Sequence, residues 1–167
     1  TYKVQNNSKP KKVSTFDDYE VIKIRDYLKN NDDPRALGIL IAMYSGLRIG
    51  EISALRWEDI DILNSTITIN KTIQRIFIKT PSHTTSELKV TTPKSIKSNR
   101  VLPINAELKQ ILIDNHHNHG YVLTNSEKAL EPRKLRYHFN AMQKKLNIPT
   151  RSFHSLRHTF ATRLIKN

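Results

Sequence analysis

Residues 36–44 read ALGILIAMY, apolar on nearly every side of a helix, the pattern of a helix buried in a core. Ahead of it, Ser14 or Thr15 can cap a helix running to about Leu28. Its first turn carries Asp17, Asp18 and Glu20, acids suited to the positive helix end. Residues 30–34 break the chain between the two. Gly46 stands where a left-handed C-terminal cap is expected, and the chain then enters a short helix around residues 51–55. Beyond Ile60 the period changes. Residues 66–69 alternate, residues 72–78 are rich in β-branched side chains, and residues 99–104 give a third short strand with Pro103 at its edge or end. The polar stretch 80–92 reads as a long loop or an extended hairpin. Helical periodicity then returns. Asn105 caps a helix over 106–115 with Leu108, Ile111 and Leu112 on one face, and residues 121–124 form a short extended piece. Pro132 opens a helix to about Leu146, and Ser152 or Phe153 opens a last one to Ile165 with Phe153, Leu156, Phe160 and Leu164 as its inward stripe. The expected fold is mainly α with a small three-stranded antiparallel sheet, an α+β arrangement.

Length and composition place these elements in one domain: 167 residues with 37% hydrophobic content suffice for a single core. Residues 1–13 lack apolar periodicity and contain Lys9, Pro10, Lys11 and Lys12, so they read as a linker ahead of a domain over 14–167. No run of about 18 apolar residues occurs, and the basic N-terminus is not signal-like, which predicts a soluble, unexported protein with no membrane partner. The absence of cysteine excludes disulfides, thiolate zinc sites and a cysteine nucleophile.

A net charge of +13 suggests a polyanionic partner, most often nucleic acid. Its location sharpens that reading. Residues 1–70 hold 10 basic and 10 acidic side chains, whereas residues 71–167 hold 18 and 5, so the entire excess lies in the second part.

Two segments carry candidate chemistry: SGLRIGE at 45–51 and HSLRHTFAT at 154–162, with PKSIKSNRVLPI at 93–104 between them. An arginine keeps its charge, and its planar fork can address two oxygens of one phosphate. Glu51, three residues after Arg48, can pair with it and fix its rotamer, and it also suits a helix first turn. His154 and Arg157 stand at i and i+3 and share a face, away from the apolar stripe. Taken singly, each has a plain structural reading as a solvated arginine or a capping histidine. His116, His117 and His119 lack convergent ligand spacing and are read as surface residues, not a metal site.

Together and in this order, the segments resemble the signature boxes of the tyrosine recombinases of the phage and transposon integrase type, from about Ser14 to the C-terminus. The resemblance implies a recombinase catalytic-domain fold. It also implies cleavage of double-stranded DNA through a 3'-phosphotyrosyl intermediate, with no metal or nucleotide cofactor. Arg48 and Arg157 match the family's two arginines, and His154 its phosphate-contacting histidine. Lys94 fits the lysine that protonates the leaving oxygen, with Lys97 and Lys89 as alternatives. Glu51 and His158 fall to supporting roles. The resemblance further implies a homotetramer on DNA for the full-length protein, in a bacterial cytoplasm and DNA-associated. The six tyrosines, Tyr2, Tyr19, Tyr27, Tyr44, Tyr121 and Tyr137, all precede His154, and none has the nucleophile's context. The expectation is a catalytic domain lacking its C-terminal nucleophile segment, monomeric in solution, able to bind DNA but not to form the covalent intermediate alone. Two alternatives stay open: a type IB topoisomerase, and a non-catalytic DNA-binding module built on the helix-turn-helix-like residues 44–55.

Overall fold

A computed structural model describes residues 14–92 and 99–166. Helix α1 (Asp18–Lys29) is capped by Asp17 rather than by Ser14 or Thr15. The backbone N–H of Glu20 donates to Asp17 Oδ1 at 2.8 Å while that of Asp17 donates to Glu20 Oε2 at 3.0 Å, so the two side chains satisfy two orphan donors reciprocally. Asp33 caps α2 (Pro34–Ser45), in which every residue from Ala36 to Ala42 is buried, as the all-round apolar pattern predicts. Gly46 closes α2 in the left-handed region at φ 65°. A Cβ there would lie 2.5 Å from the Phe160 ring, so both conformation and packing demand glycine.

The next helix, α3 (Ile49–Ala54), buries Glu51, Ile52, Ser53 and Ala54. After a 3-10 turn at Trp57–Asp59 come β1 (Ile60–Asp61) and β2 (Thr66–Ile69). Strands β3 (Thr72–Lys79) and β4 (Thr84–Thr91) pair only with each other in an eight-residue antiparallel ladder. At the base of this hairpin α3 lies directly on β3, since a Cβ on Gly50 would meet Thr72 Oγ1 at 2.5 Å. Strand β5 (Arg100–Pro103) then joins β2, giving the antiparallel order β1-β2-β5 with Ile67 opposite Leu102 and Ile69 opposite Arg100.

The three-stranded sheet is therefore present, but the strand expected at 72–78 leaves it and β1 takes a place in it. The polar stretch after Lys79 explains this: it forms the extended hairpin with β3, and of β3 only Ile73 is buried.

Helix α4 (Ala106–Asp114) is capped by Asn105, whose side chain accepts from Leu108 N–H at 2.8 Å, and it buries Leu108, Ile111 and Leu112. Residues 121–124 make only isolated bridges and turns, with Tyr121 opposite Arg56 and Ser126. Helix α5 (Pro132–Lys145) buries Leu135, Phe139 and Met142. Helix α6 (His154–Lys166) departs from the expected stripe. Phe153 and Leu156 are buried, but Leu164 is 63% exposed because no described element covers the last turns. The face that packs inward continues instead through Thr159, whose hydroxyl accepts the Phe16 N–H at 2.9 Å and donates to the Ser155 carbonyl at 2.7 Å. Edge-on contacts of Phe139 with Phe16 and Phe153 join α1's approach, α5 and α6 in one core.

Candidate functional site

The left-handed turn at Gly46 ends α2 abruptly and delivers Arg48 as the N-cap residue of α3. An arginine cannot accept a capping hydrogen bond, so the cap works in the other direction. Glu51 Oε2 accepts the Arg48 backbone N–H at 2.9 Å, and its Oε1 faces Arg48 Nη1 at 3.3 Å. The same carboxylate accepts from Arg100 Nη1 at 2.9 Å and Nη2 at 3.0 Å, a two-point fork from β5. Glu51 is only 5% exposed, while the Arg48 side chain is 57% exposed. Thus the carboxylate is the buried foundation, and Arg48 projects outward from it.

Burial alone would raise the Glu51 pKa. The hydrogen bonds from Arg100 and from the Arg48 backbone, with the two guanidinium charges, outweigh burial and hold it below the ordinary value. It is a fixed anion beneath a cationic surface.

On α6, Arg157 Nη1 donates to the Gly46 carbonyl at 2.7 Å, which ties the second arginine to the turn that presents the first. Burial and then the charge of Arg48 lower the Arg157 pKa, with Glu51 opposing and Arg100 adding to the effect. The guanidinium keeps its proton because its ordinary value is so high. His154 also has a lowered pKa, from burial first and then from His158, Arg157 and Arg48, so its neutral form is favoured. Its ring meets that of His158 edge-on, with centroids 4.4 Å apart.

Arg48, His154 and Arg157 line one open depression of about 380 Å³, together with Leu47, Ile49, Arg136, Ser152 and Phe153. No carboxylate is in that lining. A separate groove of about 300 Å³ between α1, α2 and α6 contains neither Arg48 nor His154. The depression offers several donors to one small anion, at most one of which, the histidine, needs to change its protonation state near neutral pH.

Of the residues predicted from sequence, the structure brings Arg48, Glu51, His154, His158 and Arg157 together. Lys94 and Lys97 lie outside the described residues. Lys89 is an exposed residue of β4 opposite Gln74. His116 and His117 pack against the Trp57 ring, and among the described residues no group of side chains has the makings of a metal site. None of the described tyrosines lines the depression. Sequence reasoning missed Arg100 and Arg136. Arg100 sits in the strand NRVLPI, and no local signal points to it: its pairing with the buried Glu51 is made by the fold.

The chain belongs to the phage integrase family, whose pattern it matches over residues 13–167. It is 27% identical over 173 residues to a protein described as tyrosine recombinase XerC-like from Caldanaerobacter subterraneus, covering 92% of this chain and 44% of that protein. It is 28% identical over 186 residues to the integrase of Staphylococcus phage L54a, covering 90% and 51% respectively. The chain thus spans about half the length of the curated relatives it matches. Among solved structures, the fold matches the Tn1549 transposon integrase in complex with a circular intermediate DNA, with TM-score 0.72, 20% identity, and coverage of 96% of this chain and 55% of that one. It also matches a lambda integrase tetramer bound to a Holliday junction, with TM-score 0.60, 15% identity, and coverage of 89% and 41%. At these identities the likeness to solved structures establishes the fold.

Proposed function

We propose that the chain is the catalytic domain of a site-specific DNA recombinase of a phage or integrative element. In the whole protein it cuts and rejoins double-stranded DNA through a 3'-phosphotyrosyl link. The observation that carries this reading is the convergence of Arg48, His154 and Arg157 on one open depression whose lining has no carboxylate. A phosphodiester under attack gains negative charge on its non-bridging oxygens. The two arginines are held by Glu51 and by the Gly46 carbonyl before substrate arrives, so they stabilise that charge with little reorganisation.

In this scheme a tyrosine hydroxyl attacks phosphorus as the bond to the 5'-oxygen breaks. None of the six tyrosines of this chain is assigned that role. His154 hydrogen-bonds the phosphate or helps move the tyrosine proton, and His158 supports its ring. The departing oxygen takes a proton from a lysine, for which Lys94 is the choice and Lys97 or Lys89 the alternatives. The chemistry needs no metal or nucleotide cofactor.

The whole protein would act as a homotetramer on DNA in the bacterial cytoplasm, and this chain alone would be a monomer, which light scattering tests. Among the described residues no helix is long and apolar enough to cross a membrane. A topoisomerase would relax supercoils without exchanging strands between two sites. The reading as a helix-turn-helix module is disfavoured because α3 buries four of its six residues and has no free face for a DNA groove.

The test is Arg48→Ala and Arg157→Ala in the whole protein. Each should reduce cleavage by about 10²-fold or more, the scale for losing a preorganised donor, while DNA binding falls modestly. Cleavage left intact by both changes would refute the assignment.

A further inference from the structure

We propose that Arg136 of α5 is a further DNA-binding residue of the same depression, holding a backbone phosphate next to the one that Arg48 and Arg157 hold. This rests on the reading of the depression as a phosphodiester site and adds to it a second point of attachment along the strand.

The lining places Arg136 with Arg48, His154 and Arg157, without an intervening carboxylate. Two of the three arginines are already engaged by protein, Arg48 with Glu51 and Arg157 with the Gly46 carbonyl. Arg136 is exposed, and its guanidinium hydrogen-bonds no group among the described residues. The nearest acid on its own helix boundary, Glu131, is taken by Arg75 at 2.8 Å. Positive charges gathered around one depression make the entry of an anion favourable.

Arg136 does not duplicate the inner arginines. Arg48 and Arg157 are tied to Glu51 and to the Gly46 turn, whereas Arg136 is carried on α5 and hydrogen-bonds neither of these groups. A single phosphate held by the inner pair leaves Arg136 to the next phosphate of the same strand.

Its base is rigid enough for such a role. Leu135 and Phe139 on either side of its turn are fully buried. Farther along α5, the buried Gln143 accepts from the Arg151 N–H at 2.8 Å and donates to the Arg151 carbonyl at 3.1 Å. That clamp sets α5 against the start of α6, so the spacing from Arg136 to His154 and Arg157 is built into the fold.

The experiment has two arms. In the first, the 167-residue chain is titrated with a mixed-sequence duplex over a salt series, as wild type, Arg136→Ala and Arg136→Lys. One lost phosphate contact should flatten the slope of log affinity against log salt by about 0.9 in Arg136→Ala. Arg136→Lys should keep most of the slope, which separates loss of charge from misfolding. A salt-dependent wild type with an unchanged slope in Arg136→Ala overturns the role of Arg136 alone. A wild type with no salt-dependent binding overturns the DNA reading and this role with it. In the second arm, the whole protein meets a duplex carrying an uncharged methylphosphonate beside the cleaved phosphate. It should weaken binding by wild type and leave Arg136→Ala unaffected; equal weakening of both overturns the placement.

Discussion

Arg100 and Glu51 meet through two hydrogen bonds of 2.9 and 3.0 Å across 49 residues of sequence, joining β5 to the first turn of α3. Because the carboxylate is buried and Arg48 shares it, the pair fixes the direction from which Arg48 reaches into the depression. Removing an anion from beneath two guanidinium groups leaves charge uncompensated, which is more damaging than losing a surface ion pair.

Glu51→Ala should destabilise the fold by about 3 kcal/mol, the lower part of the range for a broken buried pair, since Arg48 is half solvated. Glu51→Gln should cost less and expose the pH dependence. The folded-state pKa of Glu51 lies below its unfolded value, so its contribution is full above the ordinary carboxylate range and is lost as pH falls through the lowered value. Denaturation at neutral pH should separate wild type from Glu51→Gln, and the gap should close on acidification. A gap that stays constant to strongly acid pH would contradict the assignment.

His154 should titrate below the ordinary value of about 6.5, which NMR of its ring protons would measure. Its folded pKa is lowered, so acidification from neutral pH favours protonation of the unfolded chain first, and stability declines across that window. Replacing His158 or Arg157 by a neutral residue should move the midpoint up. Binding a DNA duplex should also raise it, because a phosphate favours the imidazolium. An unmoved midpoint on DNA would remove His154 from the phosphate.

Gly46→Ala should destabilise by about 1–3 kcal/mol from the left-handed backbone alone. The added methyl would also displace the Phe160 ring and shift the carbonyl that holds Arg157. A melting curve gives the first effect and DNA binding the second. Wild-type stability in this variant would mean that the turn is not strained as described.

Gln143→Leu leaves the Arg151 N–H and carbonyl without their buried partner, for an expected loss of about 1–3 kcal/mol. Hydrogen exchange should speed up at the junction of α5 and α6 before the rest of the core, and a uniform change across the protein would argue against a local clamp.

Much of the scaffold was legible in local pattern. The all-round apolarity of α2, the left-handed Gly46 and the Asn105 cap are each decided by a few adjacent residues, and the structure has them as expected. Arg48, Glu51, His154 and Arg157 were legible because short motifs fixed their relative positions on α3 and α6. What sequence concealed depends on distant partners. Arg100 sits in an ordinary strand, and only the fold brings it to Glu51. Arg136 looks like any charged residue on a solvated helix face until its neighbours across the depression are known. Leu164 failed for the opposite reason: the helical period runs on, but the neighbour that would cover it among the described residues does not.

The hydroxyl of Thr159 bonds the Phe16 N–H across 143 residues. Helix α6, which carries His154 and Arg157, is thus seated by the segment just ahead of α1. During synthesis the pair of arginines cannot come together until α6 has left the ribosome and found a segment made long before. A nascent chain therefore cannot display the assembled anion site until α6 has emerged.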